Sequence, residues 1–206
     1  MLEHAAHRHG GRVAQGVLAV GDTVHCVGVH DAQCEVAGIR SAKSLKITAL
    51  AVSATSVLAD DAEKLKALER AMKFTVPRPS VLIVNYPSNP TAERVDLAFY
   101  ERLVPWAKEN KVWVISDLAY SELYFDGVPT PSILQVPGAK DVAVEFTSMS
   151  KTFSMAGWRM GFAVGNERII AALARVKSYL DYGAFTPIQV AAAAALNGPQ
   201  DCVEEI

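Results

Sequence analysis

Val112-Trp113-Val114-Ile115-Ser116-Asp117 is a run of β-branched and aromatic residues that closes on a carboxylate. Its apolar residues predict a strand from Val112 to Ser116 and are nearly continuous instead of alternating, as in strands covered on both faces of a parallel sheet. Open α/β sheets bind ligands outside the carboxyl ends of their strands. Asp117 at such an end, with Tyr120 three residues on, is therefore a candidate site pair.

Working outward, Val81-Leu82-Ile83-Val84 is a second short aliphatic run. It predicts a strand from Val81 to Asn85 that empties into the turn Tyr86-Pro87-Ser88-Asn89-Pro90-Thr91. Between the two strands, Asp96 caps a predicted helix to about Asn110, with Leu97, Tyr100, Leu103, Val104 and Ala107 inward and Glu101, Arg102, Lys108 and Glu109 in water. Upstream, Asp61 to Phe74 reads as an amphipathic helix through Leu65, Leu68 and Met72. Downstream come strands Val142 to Thr147 and Gly161 to Gly165, then helices from Glu167 to about Leu180 and from Pro187 to Leu196. Gly198-Pro199 breaks that last run, and Gln200 to Ile206 begins another segment. No repeat or low-complexity linker interrupts the alternation. The fold class implied is α/β, a mostly parallel sheet with helices on both faces, whose strands lead to Asn89, Asp117 and Lys151 at one edge.

The run Thr147-Ser148-Met149-Ser150-Lys151-Thr152-Phe153-Ser154-Met155-Ala156-Gly157-Trp158-Arg159-Met160-Gly161 supplies the chemistry. One lysine stands behind hydroxyl residues and ahead of an arginine. A lysine amine can hold an aldehyde as a Schiff base, while hydroxyls and a guanidinium grip a phosphate dianion, so the set suits pyridoxal phosphate. Ser148-Met149-Ser150-Lys151 also reads as the S-x-x-K of serine acyl-transfer enzymes, but the S-D-N and K-T-G that those need do not occur. Taken alone, a lysine is most often a solvated surface residue.

Asn-Pro-Thr at 89–91, Asp-Leu-Ala-Tyr at 117–120, and Ser-Met-Ser-Lys at 148–151 with Gly-Trp-Arg-Met-Gly at 157–161 together resemble the class I/II aminotransferases, pyridoxal-phosphate enzymes of fold type I. The segment from Lys177 to Pro187 resembles the alanine (glutamate–pyruvate) and LL-diaminopimelate branch. The resemblance implies roles for each matching position. Lys151 forms the Schiff base and shuttles the proton at the substrate α-carbon. Asp117 keeps the pyridine nitrogen protonated, an opposite charge typically raising a cation's pKa by about 1–3 units. Asn89 and Tyr120 hydrogen-bond the cofactor's phenolic oxygen; Ser148 and Arg159 hold its phosphate, with Ser150 assisting. Amino-acid and 2-oxo-acid substrates and a homodimer are likewise implied. The alternatives are a lyase or decarboxylase using the same residues, and a catalytically silent fragment.

The family's subunits are about twice this length, with a small domain built from both chain ends. The expectation is thus a single large domain over 1–206 with the small domain largely missing. Val20-Gly21-Asp22-Thr23-Val24 resembles the family's approach to a strand, but over 25–57 the resemblance lapses, where a Pro-Tyr-rich segment is expected; a reading-frame slip is one explanation. His25, Cys26, His30 and Cys34 lack zinc-finger spacing, and His4, His7 and His9 read as a polar terminus, so no metal site is expected.

Composition narrows the partners. Twenty basic against twenty-two acidic residues leave no basic field for nucleic acid or anionic membrane. Three cysteines, an odd number, point to a reducing, cytoplasmic compartment. No apolar run approaches the roughly 20 residues of a spanning helix, and Met1-Leu2-Glu3-His4 opens no signal peptide.

Overall fold

The computed structural model describes residues 49–52, 61–76, 78–181 and 183–206. The readings made on Val20 to Val24, on His4, His7 and His9, on the His25 to Cys34 cluster, and on most of 25–57 lie outside the described residues, as does Tyr182.

Five strands form one sheet in the order β1-β2-β3-β4-β5. They are β1 (Ala49–Val52), β2 (Val81–Asn85), β3 (Trp113–Asp117), β4 (Ala143–Ser148) and β5 (Gly161–Gly165). The first four are mutually parallel and β5 runs antiparallel to β4. The mostly parallel expectation holds, and β5 is the exception for a local reason. The chain leaves β4 at Ser148, turns once and returns with Gly161 opposite Ser148, a connection that doubles back instead of crossing over. The two strands approach closely at their other end. A Cβ on Gly165 (φ +149°) would lie 2.7 Å from the Cα of Val144 and collide with the Ala143 carbonyl, so only glycine fits there.

Helix α1 (Asp61–Phe74) and helix α2 (Leu97–Asn110) lie between successive strands. Asp96 caps α2, its side chain accepting from the Phe99 amide, which satisfies one of the donors that a helix start leaves open. Alternation then divides the sheet into two faces. Leu82, Val84, Val114 and Ser116 point into the core under α2, where Phe99, Tyr100, Leu103, Val104 and Ala107 are buried. Phe99 belongs to this inward face although the helical pattern had singled out Leu97, which is only half-buried. Ile83, Asn85, Ile115 and Asp117, on the opposite face, are half-buried.

Two strands sit one residue later than the pattern predicts. β3 begins at Trp113 and includes Asp117, because Asp117 pairs with Asn85 on one side and Phe146 on the other. β4 likewise starts at Ala143 and ends at Ser148. Helices α3 (Met149–Thr152), α4 (Glu167–Leu180), α5 (Thr186–Asn197) and α6 (Asp201–Glu204) complete the order. Asn166 caps α4 through the amides of Arg168 and Ile169. A smaller apolar cluster gathers Met149, Met160 and Ala192, with Phe153, Phe162 and Ile188 packed against it. No helix of the described residues is long and apolar enough to cross a membrane.

Candidate active site

Three strand ends meet at one edge of the sheet. Register puts Asn85, Asp117 and Phe146 side by side, and alternation puts Ser148 on the same face as Phe146. The Asn85 side chain joins two of these ends: its Nδ2 donates to the Asp117 carbonyl at 3.3 Å, and its Oδ1 accepts from the Asn89 amide at 3.0 Å. Asn89 is thereby held in the turn beyond β2. Its Nδ2 donates to the Tyr120 hydroxyl at 3.1 Å. Asp117 Oδ1 accepts from the Ala119 amide at 3.2 Å, which steers the chain from β3 into the turn that presents Tyr120.

Lys151 approaches from β4. Its Nζ lies 5.6 Å from the centroid of the Tyr120 ring, within the range of a cation–π contact. Ser148 ends β4 and caps the single turn of α3, its hydroxyl accepting from the Ser150 amide at 3.2 Å. Ser148 and Ser150 are buried, while Lys151 is half-buried. The backbone then folds back on itself: the Met149 amide donates to the Met160 carbonyl at 3.0 Å and the Met155 amide to the Met149 carbonyl at 3.3 Å. This return carries Arg159 to a position two residues before Gly161, which pairs with Ser148. Arg159 is exposed, holds a left-handed backbone (φ 53°) and donates from Nη1 to the Ala156 carbonyl at 3.2 Å.

Asn89, Tyr120 and Lys151 are thus linked by direct contacts. Asp117 joins them through Asn85, and Ser148, Ser150 and Arg159 sit along the one loop that carries Lys151. Asn85 was missed in the sequence reading. Its signal was its register, as the terminal polar residue of a buried strand aligned with Asp117. Among the described residues no group of three or more His, Cys, Asp and Glu could hold a metal ion.

The donor set fits pyridoxal phosphate by its chemistry. It offers one amine for an aldehyde, one carboxylate for a pyridinium nitrogen, a hydroxyl–amide pair for a phenolic oxygen, and two hydroxyls with a guanidinium for a phosphate.

Residues 30–206 match the family described as aminotransferase class I and II. The chain is 67% identical to AatC of Rhizobium meliloti over 139 residues, 68% of this chain and 34% of that protein. It is 54% identical to the glutamate-pyruvate aminotransferase AlaC of Escherichia coli over 72% of this chain and 36% of that protein. An LL-diaminopimelate aminotransferase of Aquifex aeolicus shares 47% identity over 74% of this chain and 39% of its own length. Among solved structures, substrate-bound BacF from Bacillus subtilis superposes with a TM-score of 0.61 and 38% identity, covering 72% of this chain and 36% of BacF. The chain spans little more than a third of the length of these relatives. Its α/β sheet is that of the fold-type I aminotransferases, and the matched residues span all three motifs that meet at the sheet edge: the chain belongs to the aminotransferase class I and II family.

Proposed function

We propose that the protein to which this chain belongs is a pyridoxal-phosphate-dependent aminotransferase moving an amino group between an amino acid and a 2-oxo acid. The observation that carries the reading is the approach of Lys151 Nζ to the Tyr120 ring, whose hydroxyl is already engaged by Asn89, at the edge where Asp117 ends β3. When bound, the cofactor supplies an electron sink for a carbanion at the substrate α-carbon. Everything else falls to the chain. The Lys151 amine would hold the aldehyde and would be the base that moves a proton at the substrate α-carbon. The Asp117 carboxylate holds a proton on the ring nitrogen. Tyr120 and Asn89 donate to the phenolic oxygen and fix the ring's orientation. Ser148, Ser150 and Arg159 take the phosphate, the fork of the guanidinium suiting two of its oxygens at once.

The relatives named for glutamate-pyruvate and LL-diaminopimelate transamination support substrates of the same class. Three cysteines in the whole chain support a reducing, cytoplasmic setting. Exposed Tyr179 and Phe185 on the C-terminal helices support a homodimer that covers them.

Incubation with alanine and 2-oxoglutarate tests the reaction: pyruvate and glutamate should form without release of carbon dioxide or ammonia, and either gas would point to a lyase or decarboxylase. In the full-length protein, Asp117→Ala should cut turnover severely while cofactor loss stays modest. Near-normal turnover would remove Asp117 from its role.

A further inference from the structure

Glu145 is fully buried on β4 and faces away from the candidate site, beneath α2. A buried carboxylate is costly unless its oxygens are hydrogen-bonded, and these are. Oε1 accepts from the Ser132 hydroxyl at 2.6 Å; Oε2 accepts from the Ser116 hydroxyl and from the Ile133 amide, each at 3.2 Å. Ser132 in turn caps the short turn Ile133–Gln135, accepting from the Leu134 amide at 3.0 Å. The three donors come from two places in the chain. Ser116 lies immediately before Asp117, directly across from Glu145 in the β3–β4 register. Ser132 and Ile133 close the long connection that leaves β3 and carries Tyr120. One carboxylate therefore clamps both ends of the segment 117–131, and with it two of the residues assigned above to the cofactor.

We propose that Glu145 is a positioning residue, whose clamp on Ser116, Ser132 and Ile133 fixes the Asp117–Tyr120 turn in the geometry that the cofactor requires. The inference rests on the aminotransferase reading. Burial pushes the Glu145 carboxyl up to about 7, and the hydrogen bonds from Ser132, Ile133 and Ser116 hold it from rising further. Tyr100 of α2 is the titratable neighbour, its phenol raised by burial and then by the Glu145 charge. An arrangement of this kind serves geometry better than stability, because an apolar side chain of equal size could fill the space without desolvating a charge.

Two variants of opposite design separate the possibilities. Glu145→Met keeps the volume and removes both acceptors. Glu145→Gln keeps one oxygen for Ile133 and Ser116 and can donate to Ser132. In the cofactor-free chain, hydrogen exchange of peptides within 118–131 should be at least tenfold faster in Glu145→Met than in the parent, with exchange in α2 unchanged, and Glu145→Gln should restore most of the protection. With pyridoxal phosphate added, the pH midpoint of the visible band should move by half a unit or more in Glu145→Met and return towards the parent value in Glu145→Gln. If Glu145→Met does not fold, Ser116→Ala removes one of the three donors and leaves the Ser132 cap in place, and should shift both readouts in the same direction by less. Unchanged exchange in 118–131 would overturn the proposal; so would faster exchange with an unmoved midpoint, which would make Glu145 structural only. A parent chain that shows no visible band with pyridoxal phosphate would sink the aminotransferase reading itself, and is recognised without any variant.

Discussion

The sheet under α2 and the helix pair α4–α5 are both rich in apolar residues, yet they treat them in opposite ways. Phe99, Leu103 and Val114 are wholly buried, whereas Tyr179, Leu180 and Phe185 are 79%, 75% and 71% exposed. The first region contains its own complement, since each buried face of β2 and β3 meets a side chain from α1, α2 or the turn at Ile133. The second buries little beyond Lys177 and Ala192. The candidate site straddles the two. Asn85, Asp117 and Tyr120 hang from the complete core, while the loop of Lys151 and Arg159 rests on the thin cluster of Met149, Met160 and Ala192. The half proposed to hold the ring should therefore be firmer than the half proposed to hold the phosphate.

The contrast breaks first at Phe99. Its ring packs edge-on against Tyr86 and Tyr100 at centroid distances of 5.8 and 5.5 Å. Phe99→Ala should cost about 3–5 kcal/mol in urea unfolding, against no more than about 0.5 kcal/mol for Phe185→Ala. Comparable losses at the two positions would mean that the C-terminal pair is as well packed as the sheet.

The next effect is on pH dependence. Glu145 has its folded value raised from 4.5 to about 7. The folded protein therefore holds a proton there that the unfolded chain has released, and the associated stability is full below about pH 4.5 and lost as pH rises through 7. The loss amounts to up to about 3 kcal/mol. Glu145→Gln cannot titrate, so the parent-minus-variant difference in unfolding free energy should fall across that window and stay level above it. A flat difference would contradict the burial of an ionisable carboxyl.

A smaller effect is expected at the rim. Arg159→Ala should weaken retention of pyridoxal phosphate by about 1.5–3 kcal/mol, the worth of a lost charged hydrogen bond, measured by equilibrium dialysis. The fold should hold, because the Arg159 side chain is exposed. Unchanged retention would take Arg159 out of the phosphate grip.

Legibility in the sequence followed local signals in both regions: Asp61 to Phe74 and Val81 to Asn85 were read to the residue, while the helix read as Pro187 to Leu196 runs from Thr186 to Asn197. Gly161 to Gly165 and Glu167 to Leu180 were readable to the residue, because a glycine frame and a 3.6-residue pattern mark their limits. The ends of β3 and β4 were each misread by one residue, since a buried parallel strand is apolar throughout and only pairing with its neighbours says where it stops. The motif residues could be named from their order. What joins them could not: Asn85 bridges by register, and Glu145 reads as an ordinary charged residue until the fold places Ser116, Ser132 and the Ile133 amide around it. Its polarity inside β4 was the one local signal, a carboxylate where the strand is otherwise buried. The ring of Phe185 is exposed, so among the described residues no core covers it.

On the proposed function, the Lys151 amine is the one placed to hold an aldehyde beside a phosphate grip. Borohydride reduction after addition of pyridoxal phosphate, followed by peptide mapping, tests it most directly. The label should fall on the peptide containing Lys151, and Lys151→Ala should abolish both the label and the visible band. Label spread over surface lysines such as Lys108 and Lys140, or undiminished in Lys151→Ala, would contradict it.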